Sequence, residues 1–481
     1  MESARASLSV TRAVPIVVAM ESASFSSPVY EWLIIALFWH PQKLLRVLPR
    51  VLSVSSGSLA SLLPTNFDFT NHPLPLRQDL LQWLTERAAA GHAIHLCSPA
   101  AGGVLDQLSQ RIGACGSVAP LADVPPGSAR ASYLQRHFPD GFIYVGDERT
   151  DSAVWRAADG IVLTGHAHTG EHQPKGQDRP VLAAFPNPQL TLSDILKAVR
   201  VHHWSKNLLL FFPLILSHQW HNVHLIFQTI AAFLCLLAVT SATYLLNDLA
   251  DLKADRLHWA KRHRPLASGR MTACFGVFLA FALLAAGVSG ALLISTSFAA
   301  VLLTYLLLTL AYSVRLKSIP LLDTLIIGLL FTLRLVMGCT LIENPRPAWL
   351  LTFSVFFFFS LAVAKRHTEV LRAAGSVTAV LQSRGYQPED SPLTLALGVS
   401  AALASLVVFF IFILLEMLPA KIYERPEFLF AIPIALAIWM GRVWLLAHRG
   451  EMKDDPVSFA LRDSCSLVLG AVVATAFILA L

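Results

Sequence analysis

Charge is scarce in this chain: Asp, Glu, Lys and Arg make up 14% of its 481 residues, against 55% hydrophobic. Water-soluble domains carry about a quarter charged residues, so a protein soluble along its whole length is excluded. Cysteine is sparse and dispersed. The six, Cys97, Cys115, Cys235, Cys274, Cys339 and Cys465, form no CxxC pair and no close Cys/His cluster. That excludes a zinc motif and a disulfide framework. No basic tract with interleaved aromatics is present, so the formal charge of +6 does not mark a nucleic-acid binder. In a membrane protein such an excess belongs to cytoplasmic loops. Arg5 and Arg12 precede apolar stretches that Ser and charge interrupt, with no A-x-A site behind them, so no cleaved signal peptide is expected.

What the chain has in quantity is long apolar runs, confined to the region after about residue 190. A helix needs about 20 predominantly apolar residues to cross a bilayer. Nine candidates lie near 206–221, 224–247, 272–292, 295–313, 320–340, 347–364, 393–417, 427–447 and 461–480. The first is short and contains Pro213. Trp32–Leu52 is also apolar, but His40, Pro41, Lys43 and Arg46 divide it, which suits an interfacial helix or a soluble core better than a span. Basic residues favour one side. The loops after spans 2, 4, 6 and 8 hold Lys253 to Arg270, Arg315 and Lys317, Lys365 to Arg384, and Arg449 and Lys453; the opposite loops hold only Arg346, Lys421 and Arg425. This places the N-terminal region in the cytoplasm and Leu481 outside. The expected fold is an all-α polytopic membrane bundle of about nine transmembrane helices over residues 190–481, preceded by a soluble domain over residues 1–185.

The second span ends in Asn247-Asp248-Leu249-Ala250-Asp251-Leu252-Lys253-Ala254-Asp255. On a helix, Asp248, Asp251 and Asp255 fall within about 60° of one face, with Asn247 about 40° beyond. Carboxylates so crowded repel unless a cation sits between them. Mg²⁺ prefers oxygen ligands and bridges carboxylates to phosphate oxygens. The alternative is a solvated acidic helix end, yet ionisable clusters beside a membrane are costly and mark function. Lys261, Arg262 and Arg264 follow within a few residues. Together the two groups suit a diphosphate, held by metal on one side and by basic side chains on the other. Positive-inside topology alone is the competing explanation of the basic residues.

The string Asn-Asp-x-x-Asp-x-x-x-Asp, then Lys-Arg-x-Arg-Pro-Leu-Ala-Ser-Gly, resembles the first aspartate-rich motif of the UbiA-type intramembrane prenyltransferase superfamily. The resemblance implies that Asn247, Asp248, Asp251 and Asp255 bind Mg²⁺ and, with it, a diphosphate leaving group. Ordinary members carry a second motif of DxxxD type after the fourth span. Here Asp323 stands alone, with Ile327 four residues on, which makes a poor second metal site. Tyr312, Arg315 and Lys317 instead suit phosphate or sugar recognition.

Further segments, among them His202 to Asn207 with Lys206, Ala364 to Glu369 with Lys365 and Arg366, and Arg384 to Asp390, are similar to the branch that includes decaprenyl-phosphate phosphoribosyltransferase. That branch moves a 5-phosphoribosyl group from phosphoribosyl diphosphate to a polyprenyl phosphate. Arg334 lies eleven residues after Asp323 on the same helix face. A mid-span Arg should face the bundle interior, as a structural ion pair or as a contact for an anionic substrate.

The front half reads as alternating strands and helices, a parallel α/β pattern. Ala93–Ser98 and Phe142–Asp151 resemble strand ends of haloacid-dehalogenase-like phosphatases, in which a Ser and a pair of Asp bind phosphate and Mg²⁺; here these would be Ser98, Asp147 and Asp151. The family's nucleophilic Asp falls on Ala19, with Glu21 beyond it, and no Lys occurs from Gln107 to Arg136. Ala cannot form an acyl phosphate. The expectation is a degenerate phosphatase-like domain whose exit linker holds His166, His168 and His172 as solvated residues. The whole is then a bacterial-type inner-membrane enzyme acting on polyprenyl phosphate and phosphoribosyl diphosphate among membrane lipids, with no nucleic acid as partner. A prenyl transfer from polyprenyl diphosphate to an aromatic acceptor is the alternative. A lipid-phosphate transporter or scaffold without chemistry is the third.

Overall fold

The computed structural model describes residues 14–19, 42, 77–97, 116–117, 127–146, 148–165, 179–186, 189–342, 348–373, 384–419, 423–452, 459–460 and 462–481. Nearly all of Trp32–Leu52 and Ser98, Asp147, His166, His168, His172, Arg346, Lys421 and Lys453 lie outside them, as does the Asp151 side chain. The chain forms two compact units, Met1–Val199 with Tyr244–Ala280, and Arg200–Thr243 with Phe281–Leu481.

The first unit holds the expected α/β layer. Six strands, β1 Ile16–Ala19, β2 Ile94–Cys97, β3 Gly116–Ser117, β4 Ile143–Gly146, β5 Gly160–Gly165 and β6 Val181–Pro186, pair in the order β3-β2-β1-β4-β5-β6. Every pairing is parallel. The central strands β1 and β4 are buried at every position, as short apolar runs covered on both faces should be. Edge strand β6 instead alternates half-buried and exposed. Helices α1 Gln78–Ala89, α2 Ser128–His137 and α3 Glu148–Ala157 lie between strands in sequence, supplying the length that parallel crossovers require. Chain order reverses about β1, and the carboxyl edge at such a switch point is where open α/β sheets bind ligands. The register pairs Ala19 with Cys97 and Val18 with Val145. Ala19, which is buried, therefore ends the central strand level with Cys97 and, by the same register, with Gly146.

Helix α4 Leu192–Ala198 follows, opened by a capping box in which the Thr191 hydroxyl and the Asp194 carboxylate serve each other's backbone amides. Its Asp194 also lies 3.5 Å from Arg270.

Seven helices among the described residues are long and apolar enough to cross a membrane, where nine spans were expected. They cover Val223–Ala250, Ala273–Ile294, Thr296–Val314, Leu322–Cys339, Ala348–Arg372, Pro388–Met417 and Pro426–His448. The segment expected at 206–221 is not one α-helix. It runs as a 3-10 helix over Val201–Phe211 and then as the short α-helix Phe212–Leu216, where Pro213 occupies the first turn. Pro there has no N–H to continue a preceding helix. The last apolar helix, Ser464–Ala480, has 17 residues, about 26 Å of rise against a hydrocarbon core of about 30 Å.

The 3-10 segment packs close on Leu322–Cys339. A Cβ at Gly338 would collide with the Leu210 carbonyl and the Pro213 ring, so only Gly permits this approach. The second unit's core is apolar, with Phe298, Leu302, Leu330 and Met337 in one buried cluster and Phe358, Trp439 and Trp444 in another.

Candidate active site

Helix α5 Val223–Ala250 carries Asn247 and Asp248 in its last turn, and α6 Leu252–Leu257 carries Asp255, with Asp251 as the residue between them. The expectation of one unbroken helix needs correction in detail. The assignment breaks at Asp251, but the i to i−4 bonds continue through it, Asp251 N–H to the Asn247 carbonyl at 2.8 Å and Asp255 N–H to the Asp251 carbonyl at 2.9 Å. Asp248 and Asp255 thus keep a common face, and both are buried, at 5% and 1% exposure. Asp251 and Asn247 are half-buried.

The chain then turns through the 3-10 helix Lys261–His263. Arg264 follows it in extended backbone, as the residue before Pro265 should be. That turn returns Arg264 to the carboxylates. Its Nη1 donates to Asp248 Oδ1 at 3.0 Å and to Asp255 Oδ2 at 2.6 Å. Lys261 Nζ stands 3.8 Å from Asp255 Oδ1, too far for a hydrogen bond. Arg262 is exposed and donates to His263 Nε2 instead. Of the three basic residues, two meet the aspartates and one turns away.

Could this group hold Mg²⁺? The donor set is all oxygen, three carboxylates and an amide carbonyl, as a hard cation requires. Asp255 Oδ1 is buried with no hydrogen-bond partner. Asp251 has no ion pair among the described residues. Among the described residues, however, no three acidic, His or Cys side chains are gathered around a common point. Asp248 and Asp255 do converge, but on a guanidinium nitrogen, and no third such side chain among those described joins them. The residues fit the ion in kind once Arg264 withdraws.

The second unit holds a separate polar cluster. Asp323, in the first turn of Leu322–Cys339, is fully buried. It accepts from Arg366 Nε at 2.6 Å and from the Tyr386 hydroxyl at 2.7 Å, and Arg384 Nη1 lies 3.9 Å away. Arg366 also pairs with Glu369 one helical turn on. The Tyr386 hydroxyl in turn accepts from Leu321 N–H at 2.9 Å. Burial and the bond to the Asp323 carboxylate push the Tyr386 phenol above its ordinary range, so it remains a donor. Gly385 makes this possible: with φ of +73° it lies against the Ser318 carbonyl, where a Cβ would come within 3.0 Å. Arg384 Nη1 donates to the Tyr312 hydroxyl at 3.1 Å. Arg315 is exposed, while Lys317 and Lys365 are half-buried. Sequence spacing missed Tyr386 as the partner of Asp323, because the contact spans 63 residues.

Arg334 is buried, but makes no ion pair among the described residues. Nε donates to Asn207 Oδ1 at 2.8 Å, Nη1 to the Leu330 carbonyl at 2.7 Å and Nη2 to the Tyr305 hydroxyl at 2.9 Å. The Tyr305 and Phe331 rings lie within 4.9 Å and 5.1 Å of its guanidinium carbon. Asn207 is fixed from its other side, donating to Thr240 Oγ1 at 3.1 Å. Arg334 and Asn207 thus tie the 3-10 segment to two membrane helices, while neighbouring Lys206 is half-buried.

Residues 208–464, more than half the chain, match the UbiA prenyltransferase family. The chain belongs to that family. It is an integral membrane transferase, as seven apolar helices require. Among its relatives, the uncharacterized protein y4nM of Sinorhizobium fredii is 39% identical over 458 residues, 95% of this chain and 89% of that one. The nodulation protein NoeC of Azorhizobium caulinodans is 33% identical over 288 residues, covering 59% of this chain and 92% of NoeC. The decaprenyl-phosphate phosphoribosyltransferase of Mycobacterium tuberculosis is 28% identical over 200 residues, 41% of this chain and 66% of that enzyme. The family match begins at residue 208 and so takes in both the Asp248–Asp255 turn and the Asp323 cluster.

Proposed function

We propose that this UbiA-family protein transfers a 5-phosphoribosyl group from phosphoribosyl diphosphate to a polyprenyl phosphate, with Mg²⁺ on the donor. The observation that carries the reading is the state of Asp323. Its two oxygens are taken by Arg366 and Tyr386, and Ile327 offers no second carboxylate. This supports a single metal-binding group, at Asp248 to Asp255. The mycobacterial relative bears a name of that activity.

In the reaction a lipid phosphate oxygen attacks the anomeric carbon of the ribose, and the bond from that carbon to the diphosphate breaks. Inorganic diphosphate leaves with the bonding electrons. A phosphate monoester is already anionic at neutral pH, its second pKa being about 6, so no general base is needed. Asp248, Asp251 and Asp255, with Asn247 beside them, would hold Mg²⁺, which when bound offsets charge on the departing diphosphate. Lys261 and Arg264 add preorganised positive charge there. Tyr312, Arg315, Lys317, Arg384 and Lys365 suit the sugar phosphate. Arg366 and Asp323 hold Tyr386, and Arg334 with Asn207 holds the bundle around the acceptor. The remaining catalytic power is orientation of the two reactants.

The loops rich in Lys and Arg, and with them the sheet, lie on the cytoplasmic side in this reading. The sheet itself is a degenerate haloacid-dehalogenase-like domain. Purified protein in detergent, given Mg²⁺, polyprenyl phosphate and either labelled phosphoribosyl diphosphate or labelled prenyl diphosphate with an aromatic acid, should label only the lipid phosphate. Aromatic prenylation alone would put the alternative in its place, and turnover of neither donor would favour a carrier.

A further inference from the structure

The guanidinium between the two buried aspartates raises a question of occupancy. Arg264 bridges Asp248 and Asp255 through the single nitrogen Nη1, at 3.0 Å and 2.6 Å. Mg²⁺ binds oxygens at about 2.0–2.1 Å, so an ion shared by these two carboxylates would sit where that nitrogen is. Both cannot be there. The backbone of Arg264 is fixed: its N–H bonds the Lys261 carbonyl at 2.9 Å and its carbonyl accepts from Ser268 N–H at 2.9 Å. The side chain is free to leave, being 30% exposed against 6% and 2% for its two aspartate partners. Its withdrawal takes a hydrogen-bonded positive charge from two buried carboxylates, a cost that a new anion for the guanidinium offsets. A diphosphate is such an anion, offering the forked oxygens that a guanidinium binds well.

We propose that Arg264 is an internal counter-ion that closes the Asp248–Asp255 pair to metal until a diphosphate draws it away, so that metal and donor bind as a coupled pair. This rests on the reading of a diphosphate donor, whatever organic group the donor carries. Linkage makes the coupling reciprocal: diphosphate raises the affinity for metal by the factor by which metal raises the affinity for diphosphate. Lys261 carries the same charge 3.8 Å from the other Asp255 oxygen but occupies no bridging place. The proposal therefore separates occupancy from net charge.

The test uses the full-length protein in detergent, Mn²⁺ as a spin probe and inorganic pyrophosphate as the anion. With Mn²⁺ alone, Arg264→Gln should bind the ion about tenfold more tightly than wild type, a factor ordinary for coupled sites. Lys261→Gln, which removes the same charge, should gain about threefold or less. No gain in Arg264→Gln, or equal gains in both variants, would overturn the proposal. The wild-type protein gives a second measurement that needs no variant to fold: pyrophosphate affinity at low and at saturating free Mn²⁺, corrected for the complex formed in solution. It should differ by about tenfold or more, and equal affinities would also overturn the proposal. Failure of pyrophosphate to bind at any Mn²⁺ level would instead count against the transferase reading, and the Mn²⁺-only comparison would still decide the role of Arg264.

Discussion

At the scale of single residues, the two buried aspartates and Asp251 are unequal. Asp248 and Asp255 hold Arg264, whereas Asp251 has no ion pair among the described residues. Asp251→Asn should therefore leave thermal unfolding in detergent unchanged while lowering Mg²⁺-dependent transfer by about 10² or more, the loss typical of a removed electrostatic group. Turnover near wild type would remove Asp251 from the metal site. Tyr386→Phe behaves differently. It strips one bond from buried Asp323 and leaves Leu321 N–H without its acceptor, which should cost about 1–3 kcal/mol of stability and appear as a lower Tm. An unchanged Tm would mean that the hydroxyl is not holding this corner. The common face of Asp248 and Asp255 was legible because a 100° repeat depends only on spacing. The isolation of Asp323 was legible too, from Ile327. What occupies Asp323 was not, because Arg366 and Tyr386 come from 43 and 63 residues away, and no periodicity encodes a contact made by packing. For the same reason Arg334 could be placed inside the bundle, but its neutral partners could not be foreseen.

At the scale of elements, apolar length and Pro settled most of the membrane region. Seven expected spans coincide with helices, and Pro213 marked the weakest one in advance. The long 3-10 stretch before it had no signal, and its close approach to Gly338 is a contact made over more than 120 residues of sequence. Helix α4 carries a prediction of its own. The Thr191 hydroxyl and amide, and then Arg270, hold the Asp194 carboxyl below its ordinary range despite its burial. A depressed carboxyl stabilises the fold at pH values above its unfolded pKa of about 3.9 and loses that contribution as pH falls through the lower folded value. Asp194→Ala should cost about 1 kcal/mol for the lost cap, constant from pH 5 to 8. The gap in Tm should narrow below about pH 4, where the wild-type carboxyl protonates too. A gap that widened on acidification would contradict this assignment.

At the scale of the whole molecule, one chain carries both a six-stranded parallel sheet and a UbiA-family membrane bundle. Strand alternation announced the parallel sheet, and the register then placed Ala19 at the end of its central strand, where a side chain without an oxygen cannot attack phosphorus. The strand order itself was beyond sequence, because pairing of β1 with both β2 and β4 is a long-range choice. Full-length protein should show no Mg²⁺-dependent hydrolysis of aryl phosphates; hydrolysis that survives Asp251→Asn but not Asp147→Ala would make the protein bifunctional. Ribosyl transfer and prenyl transfer differ in the fate of each donor atom. Phosphoribosyl diphosphate labelled with ¹⁴C in the ribose and ³²P in the diphosphate is incubated with protein, Mg²⁺ and polyprenyl phosphate, and lipid is extracted. Phosphoribosyl transfer puts ¹⁴C in the lipid phase and releases ³²P to water as inorganic diphosphate. A lipid phase carrying ³²P, or no ¹⁴C while prenyl diphosphate is consumed in parallel, would contradict it.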